Sequence, residues 1–132
     1  MEITKATHTV LLVDDEPNLL HSLSRTLRGQ PYQIYTARSA EEAKDILIKH
    51  RVHLIVTDEN MRGMRGSDLL AWVAEQMPEV VRIVLTGQPS VPTMTRAINE
   101  GRVFRFFTKP CNDVELAMAI RDGLELQAAE QG

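Results

Sequence analysis

The sequence predicts an α/β domain: a parallel sheet of five βα units, with helices on both faces. Three observations predict it. Five short apolar runs alternate with five stretches of helical apolar spacing, and that alternation marks βα units around a parallel sheet. The clearest runs are apolar at successive positions, as strands buried on both faces require. The chain has 132 residues, enough for one core and too few for two ordinary domains.

Residues 10–13, VLLV, are too short a run for a helix and read as the first strand, ending on Asp14-Asp15. Pro17 then sits where a first helical turn accepts it. Leu19, Leu20, Leu23 and Leu27 follow at helical spacing, and Gly29 stops them. YQIYTA is a second, shorter strand. Ser39 and Glu42 form a capping box ahead of Ala43, Ile46 and Leu47, so residues 39–50 read as a helix. HLIVTD is the third strand. Ser67 is placed to cap the next helix, which carries Leu69, Leu70, Val73 and Met77 and closes at Pro78. VRIVLTG is the fourth strand, residues 92–99 a short helix, and VFRFFTK the fifth strand. Asn112 begins the last helix, with Leu116, Ala117, Ile120 and Leu124 on one side. Gly123 inside it costs about 1 kcal/mol relative to alanine. Crossovers between parallel strands are expected to be right-handed.

Composition narrows the function. Hydrophobic residues make up 43% and charged residues 25%, ordinary for a soluble globular domain. A net charge of −3 gives no overall basic signature for nucleic acid. One cysteine, Cys111, excludes an internal disulfide framework and fits a reducing compartment. MEITKATHTV has no apolar signal core, and no apolar run approaches the ~18 residues that span a bilayer. A cytoplasmic domain is expected, over residues 9–126. Residues 1–8 read as an N-terminal extension and 127–132 as a tail or the start of a linker. Histidines 8, 21, 50 and 53 lack metal-ligand spacing and read as surface or edge residues.

In an open parallel sheet, ligands bind beyond the carboxyl ends of the strands. Those ends carry Asp14 and Asp15, Asp58, Thr86-Gly87 and Lys109-Pro110. Singly, each has a bland reading as a helix cap, a turn or a loop. Together they bring three carboxylates, a hydroxyl and an ammonium to one edge. Clustered like charges require a cation, and Mg2+ takes one or two carboxylates with waters. Lys109 suits an anion beside such a metal. These are the parts that move a phosphoryl group onto an aspartate.

With LLVDDEPNLL, LIVTDENMRGMRGSDLL, VLTG and RFFTKP in their βα places, the chain resembles the receiver domains of two-component response regulators, of the CheY type. The likeness runs from about Thr9 to Leu126. It implies a flavodoxin-like three-layer sandwich with strand order 2-1-3-4-5. It implies that Asp58 is the phosphoacceptor. Mg2+, or Mn2+ in its place, is held by Asp15, Asp58 and the Asn60 backbone carbonyl, with Asp14 acting through water. Lys109 pairs with the phosphoryl group or, at rest, with Asp58. Thr86 and Phe106 form the switch, Gly87 and Pro110 support it, and the Lys109-Pro110 bond is cis. The implied partners are a sensor histidine kinase or a histidine phosphotransfer protein, an output domain or effector, and in some settings a second copy of the chain. No nucleic acid or membrane contact is implied.

Three positions depart from the commonest family pattern. Arg62 replaces a frequent proline, Cys111 a frequent aromatic, and Gln88 stands two residues after Thr86. Cys111 reads as a small apolar filler rather than a redox centre. Gln88 and Asn60 are placed to influence water at the phosphoryl group. Glu59 is expected to point to solvent. LTGQPS and AINEGRVFRFFTKP also look like receivers attached to HD-type phosphohydrolase domains. A Mg2+-dependent phosphatase of the haloacid-dehalogenase type is a rival, but it needs a general acid where this chain has Asn60. An adaptor indifferent to phosphate has no use for so costly a charge cluster.

Overall fold

The computed structural model describes residues 8–131. The order is β1 (His8–Val13), α1 (Pro17–Leu27), β2 (Tyr32–Ala37), α2 (Ala40–Lys49), β3 (Leu54–Asp58), α3 (Gly66–Gln76), β4 (Val81–Thr86), α4 (Val91–Asn99), β5 (Arg105–Thr108) and α5 (Asp113–Gln131). All strands pair in parallel, in the order β2-β1-β3-β4-β5. This is the flavodoxin-like topology expected. Strand order reverses between β1 and β3, so the ligand crevice falls beside them.

Side chains alternate across each strand, and the sheet therefore builds two cores. Leu11, Val13, Ile55 and Val84 face one side, where they meet Ala43 and Leu47 of α2, Leu69, Leu70 and Val73 of α3, and Ala97 of α4. Val10, Leu12, Leu54, Val56, Ile83 and Leu85 face the other, against Leu20, Leu23 and Leu27 of α1 and Leu116, Ile120 and Leu124 of α5. The central strand β3 is buried throughout, whereas the edge strands β2 and β5 are partly exposed.

Helix starts follow local chemistry. Ser39 Oγ accepts from the Glu42 N–H at 3.1 Å, as the capping box requires. Ser90 Oγ accepts from the Thr93 N–H at 3.2 Å. Asn112 Oδ1 accepts from the N–H groups of Val114 and Glu115. Helix α3 departs from expectation: its N-cap is Arg65, without a side-chain cap bond, and Ser67 lies inside the first turn. The reason is a carboxylate from elsewhere, described below.

Gly123 is also more than a weak point. A Cβ there would lie 2.7 Å from Leu54 Cδ1 and 3.0 Å from Val81 Cγ1, so its absence lets α5 sit close on β3 and β4. Helix α5 continues through residues 127–131, with Gln127 buried, where a tail was expected. Of the expected N-terminal extension, residues 1–7 lie outside the described residues and His8 opens β1. Gly132 also lies outside them.

Candidate functional site

Register assembles the site. Val13 is level with Thr57, so Asp14 leaves β1 beside Asp58 at the end of β3. Asp58 is level with Leu85, and Thr86 is level with Thr108. Thr86 and Lys109 therefore each stand one step beyond their neighbours. One ligand oxygen from each of Asp14, Asp15 and Asp58 falls within a 4.8 Å cluster. Asp14 and Asp58 are only 3% and 5% exposed.

Lys109 bridges the two buried acids. Its Nζ lies 3.0 Å from Asp14 Oδ2 and 2.8 Å from Asp58 Oδ1. The first contact is also a hydrogen bond. The second is the shorter contact, so the ammonium is the charge partner of the buried Asp58 Oδ1. Asp14 Oδ1 accepts from the Glu16 N–H at 2.9 Å, which tightens the turn after β1. Asp15 Oδ2 accepts from the Arg62 N–H at 3.2 Å. Arg62 thus meets the acids through its backbone, with its side chain exposed.

Burial raises the Asp58 carboxyl above its ordinary value; Asp14 and Asp15 add to the rise and Lys109 opposes it. Burial alone would lower Lys109, but the Asp58 and Asp14 carboxylates outweigh it and hold the ammonium charged above its usual range. One ammonium faces three carboxylates. Three carboxylates gathered this closely leave surplus negative charge and oxygen donors, which fits a hard divalent cation.

Thr86 and Phe106, the residues expected to form a switch, lie on the neighbouring strands β4 and β5. Thr86 is fully buried, and its Oγ1 accepts from Asn60 Nδ2 at 3.2 Å and from the Gln88 N–H at 3.1 Å. Its carbonyl accepts from the Lys109 N–H at 2.7 Å. Phe106 is level with Val84 in the next strand and packs on the core beneath α3 and α4. Thr86 follows Val84 by two residues and so faces the same side. Lys109-Pro110 is cis. Gly87 lies beside Lys109, where a Cβ would make ordinary contact, so sterics do not demand a glycine there. Cys111 is partly buried on the α1 and α5 side, and burial pushes its thiol up, with Glu115 and Asp113 adding to the effect. A raised thiol is a poor nucleophile.

Glu59 corrects the sequence reading. It is 2% exposed, and its carboxylate turns inward to the start of α3. Oε1 accepts from the Ser67 N–H at 2.7 Å and Oε2 from the Ser67 hydroxyl at 2.9 Å. A carboxylate at a helix N-terminus meets free N–H groups and the positive end of the dipole. The Glu59 carbonyl also accepts from the Gly66 N–H, at 3.0 Å. A Cβ on Gly66 would overlap the Asp58 carbonyl oxygen, so only glycine lets α3 begin this close to the end of β3.

A family model described as the response regulator receiver domain matches residues 10–121. The chain belongs to that family. This receiver domain is 34% identical over 122 residues to the hydrogenase transcriptional regulatory protein HoxA of Cupriavidus necator, a match covering 92% of the chain and 25% of that relative. It is 38% identical over 119 residues to the transcriptional regulatory protein GlrR of Escherichia coli, covering 90% of the chain and 27% of that relative. The chain thus spans about a quarter of the length of these curated relatives. Among solved structures, the signal receiver domain of an HD domain-containing protein from Pseudomonas fluorescens superposes with a TM-score of 0.92 at 36% identity, covering 94% of this chain and 99% of that one. A CheY-like receiver from Methanospirillum hungatei gives 0.90 at 26% identity, covering 95% and 99%.

Proposed function

We propose that this receiver domain takes a phosphoryl group from a phosphohistidine onto Asp58 and thereby changes the surface it offers to an output partner. The observation that carries the reading is the buried Asp58 carboxylate, paired with Lys109 and set among two further acids. An Asp58 oxygen attacks phosphorus, the phosphorus–nitrogen bond breaks, and its electron pair stays on the imidazole nitrogen. Lys109 leaves Asp58 to pair with the phosphoryl oxygens. Mg2+ or Mn2+ would be held by Asp15, Asp58 and the Asn60 carbonyl, with Asp14 acting through water, and would supply charge neutralisation to the phosphoryl oxygens. The domain catalyses only its own phosphorylation and dephosphorylation.

Phosphorylation adds roughly −1.5 to −2 charge. Thr86 turns to meet it and Phe106 fills the space released, a shift between two packings. The surface expected to change is that of α4, β5 and α5, and its α4 part carries exposed apolar side chains at Val91, Met94 and Ile98. Such a face suits an effector, an output domain or a second copy. The donor is a sensor histidine kinase or a histidine phosphotransfer protein. Transcriptional regulation and HD-type hydrolysis are both proposals for the output, the first from the relatives named HoxA and GlrR, the second from the receiver of the HD domain-containing protein. The reading places the domain in the cytoplasm, and no helix among the described residues is long and apolar enough to cross a membrane.

The test is intact-protein mass spectrometry after acetyl phosphate with Mg2+. The wild type is expected to gain one phosphoryl group and Asp58→Asn none. Equal labelling of Asp58→Asn would reject the assignment. Steady turnover of phosphomonoesters would favour the phosphatase reading instead.

A further inference from the structure

The resting Thr86 hydroxyl is held by two donors from different loops. Gln88 donates through its backbone, two residues along the same loop. Asn60 donates through its side chain, from the loop that follows the phosphoacceptor. A hydroxyl oxygen has two lone pairs, and both are engaged. Capturing a phosphoryl oxygen demands the reverse, since Thr86 must turn and donate. The Gln88 bond is local to the switch loop. The Asn60 bond ties the switch to the acceptor's own loop, across 26 residues of sequence.

We propose that the Asn60 side chain is a positioning residue, a latch that holds Thr86 in its resting orientation and sets how readily the switch turns. The proposal rests on the reading of Asp58 as phosphoacceptor and Thr86 as its responding hydroxyl. Asn60 is exposed, so its carboxamide exchanges Thr86 for water at little cost. A hydrogen bond of this kind shifts an equilibrium by about three- to tenfold. It biases the switch without locking it. The backbone carbonyl of Asn60 keeps its separate role toward the metal.

A double-mutant cycle tests the latch, with beryllofluoride and Mg2+ as the phosphoryl mimic and Thr86 or neighbouring methyl resonances as the readout. In the Thr86 background, Asn60→Ala is expected to tighten beryllofluoride binding about three- to tenfold. The unliganded Thr86 methyl signal is expected to move toward its bound position. In the Thr86→Ala background, Asn60→Ala is expected to change nothing. Unchanged or weaker binding with Thr86 present would overturn the latch. So would an equal change in both backgrounds, which would mean that Asn60 acts on the ligand directly. A purely structural role would lower the urea midpoint equally in both backgrounds, whereas loss of the latch lowers it only where Thr86 is present. The underlying reading is checked separately by the labelling of Asp58. If Asp58 is labelled and the cycle is flat, the latch alone falls.

Discussion

Glu59 shows what a single side chain adds to this site. Its carboxylate spans Ser67 N–H and Oγ while buried, so truncating it strands two polar groups without water. Glu59→Ala is expected to destabilise the domain by about 2–3 kcal/mol, and Ser67→Ala by about 1.5 kcal/mol. The double variant should cost less than the sum, because both deletions remove the bond from the Ser67 hydroxyl to Glu59 Oε2. Urea denaturation of the four proteins measures this, and strict additivity would show the clamp to be energetically idle. The convergence of Asp14, Asp15, Asp58, Thr86 and Lys109 was legible because each stands at or just past the carboxyl end of a strand. Glu59 was not. Alternation along β3 stops at Asp58, where the chain turns, and its partner lies eight residues away in a helix whose start was misplaced. The two bonds onto Thr86 were equally hidden, since sequence shows the residues but not which loop reaches across.

At the scale of elements, the contact between α3 and β3 depends on an absent side chain. Gly66 opens α3 against the Asp58 carbonyl, and its own N–H is donated to the Glu59 carbonyl. Backbone cannot yield there as a leucine tip can. Gly66→Ala is expected to cost about 3 kcal/mol by overpacking and to slow labelling of Asp58, because relief would displace the acceptor strand. Urea midpoints and acetyl phosphate kinetics measure the two effects. Wild-type values in both would refute the account. Gly123 carries a related lesson. Helix propensity marks it as a weak point, whereas packing makes it the place where α5 approaches Leu54 and Val81. Propensity is readable in one dimension and close approach is not, which is why the start of the helix was located correctly and its glycine misjudged.

For the whole molecule, stability varies with pH through a residue far from the acids. His53 precedes β3, and its Nδ1 accepts from the Thr9 N–H at 3.0 Å, which requires an unprotonated nitrogen. The His8 ring stands edge-on to it, with centroids 5.0 Å apart. Burial, with the charges of His8 and Arg51, lowers His53 below its ordinary 6.5. The unfolded chain therefore takes up this proton first as pH falls. The contribution is full above about 6.5 and is lost as pH drops through that value toward the folded one. Urea midpoints are expected to fall between about pH 7.5 and 5.5, and to fall less in His53→Asn; parallel curves would assign the slope elsewhere. Asp58 acts in the opposite sense: its folded value is raised, so its stabilising contribution fades as pH rises above the ordinary aspartate range. The overall architecture was fully legible because buried parallel strands alternate so plainly with helices. The ends were not. Polar composition suggested a tail at residues 127–132, but Gln127 is buried on α5 and the helix continues past it.

The shortness of β5 also limits how a partner can bind. Its four residues form one border of the sheet, begin at Arg105, and are followed closely by Pro110, which has no N–H to offer. An extended peptide laid along that border would find few free backbone groups, with a cation at one end and an imino acid at the other. Docking by strand addition, and runaway stacking of copies through the same border, are both disfavoured. Recognition of this domain is therefore expected to be written in the side chains of α4 and α5 rather than in its main chain.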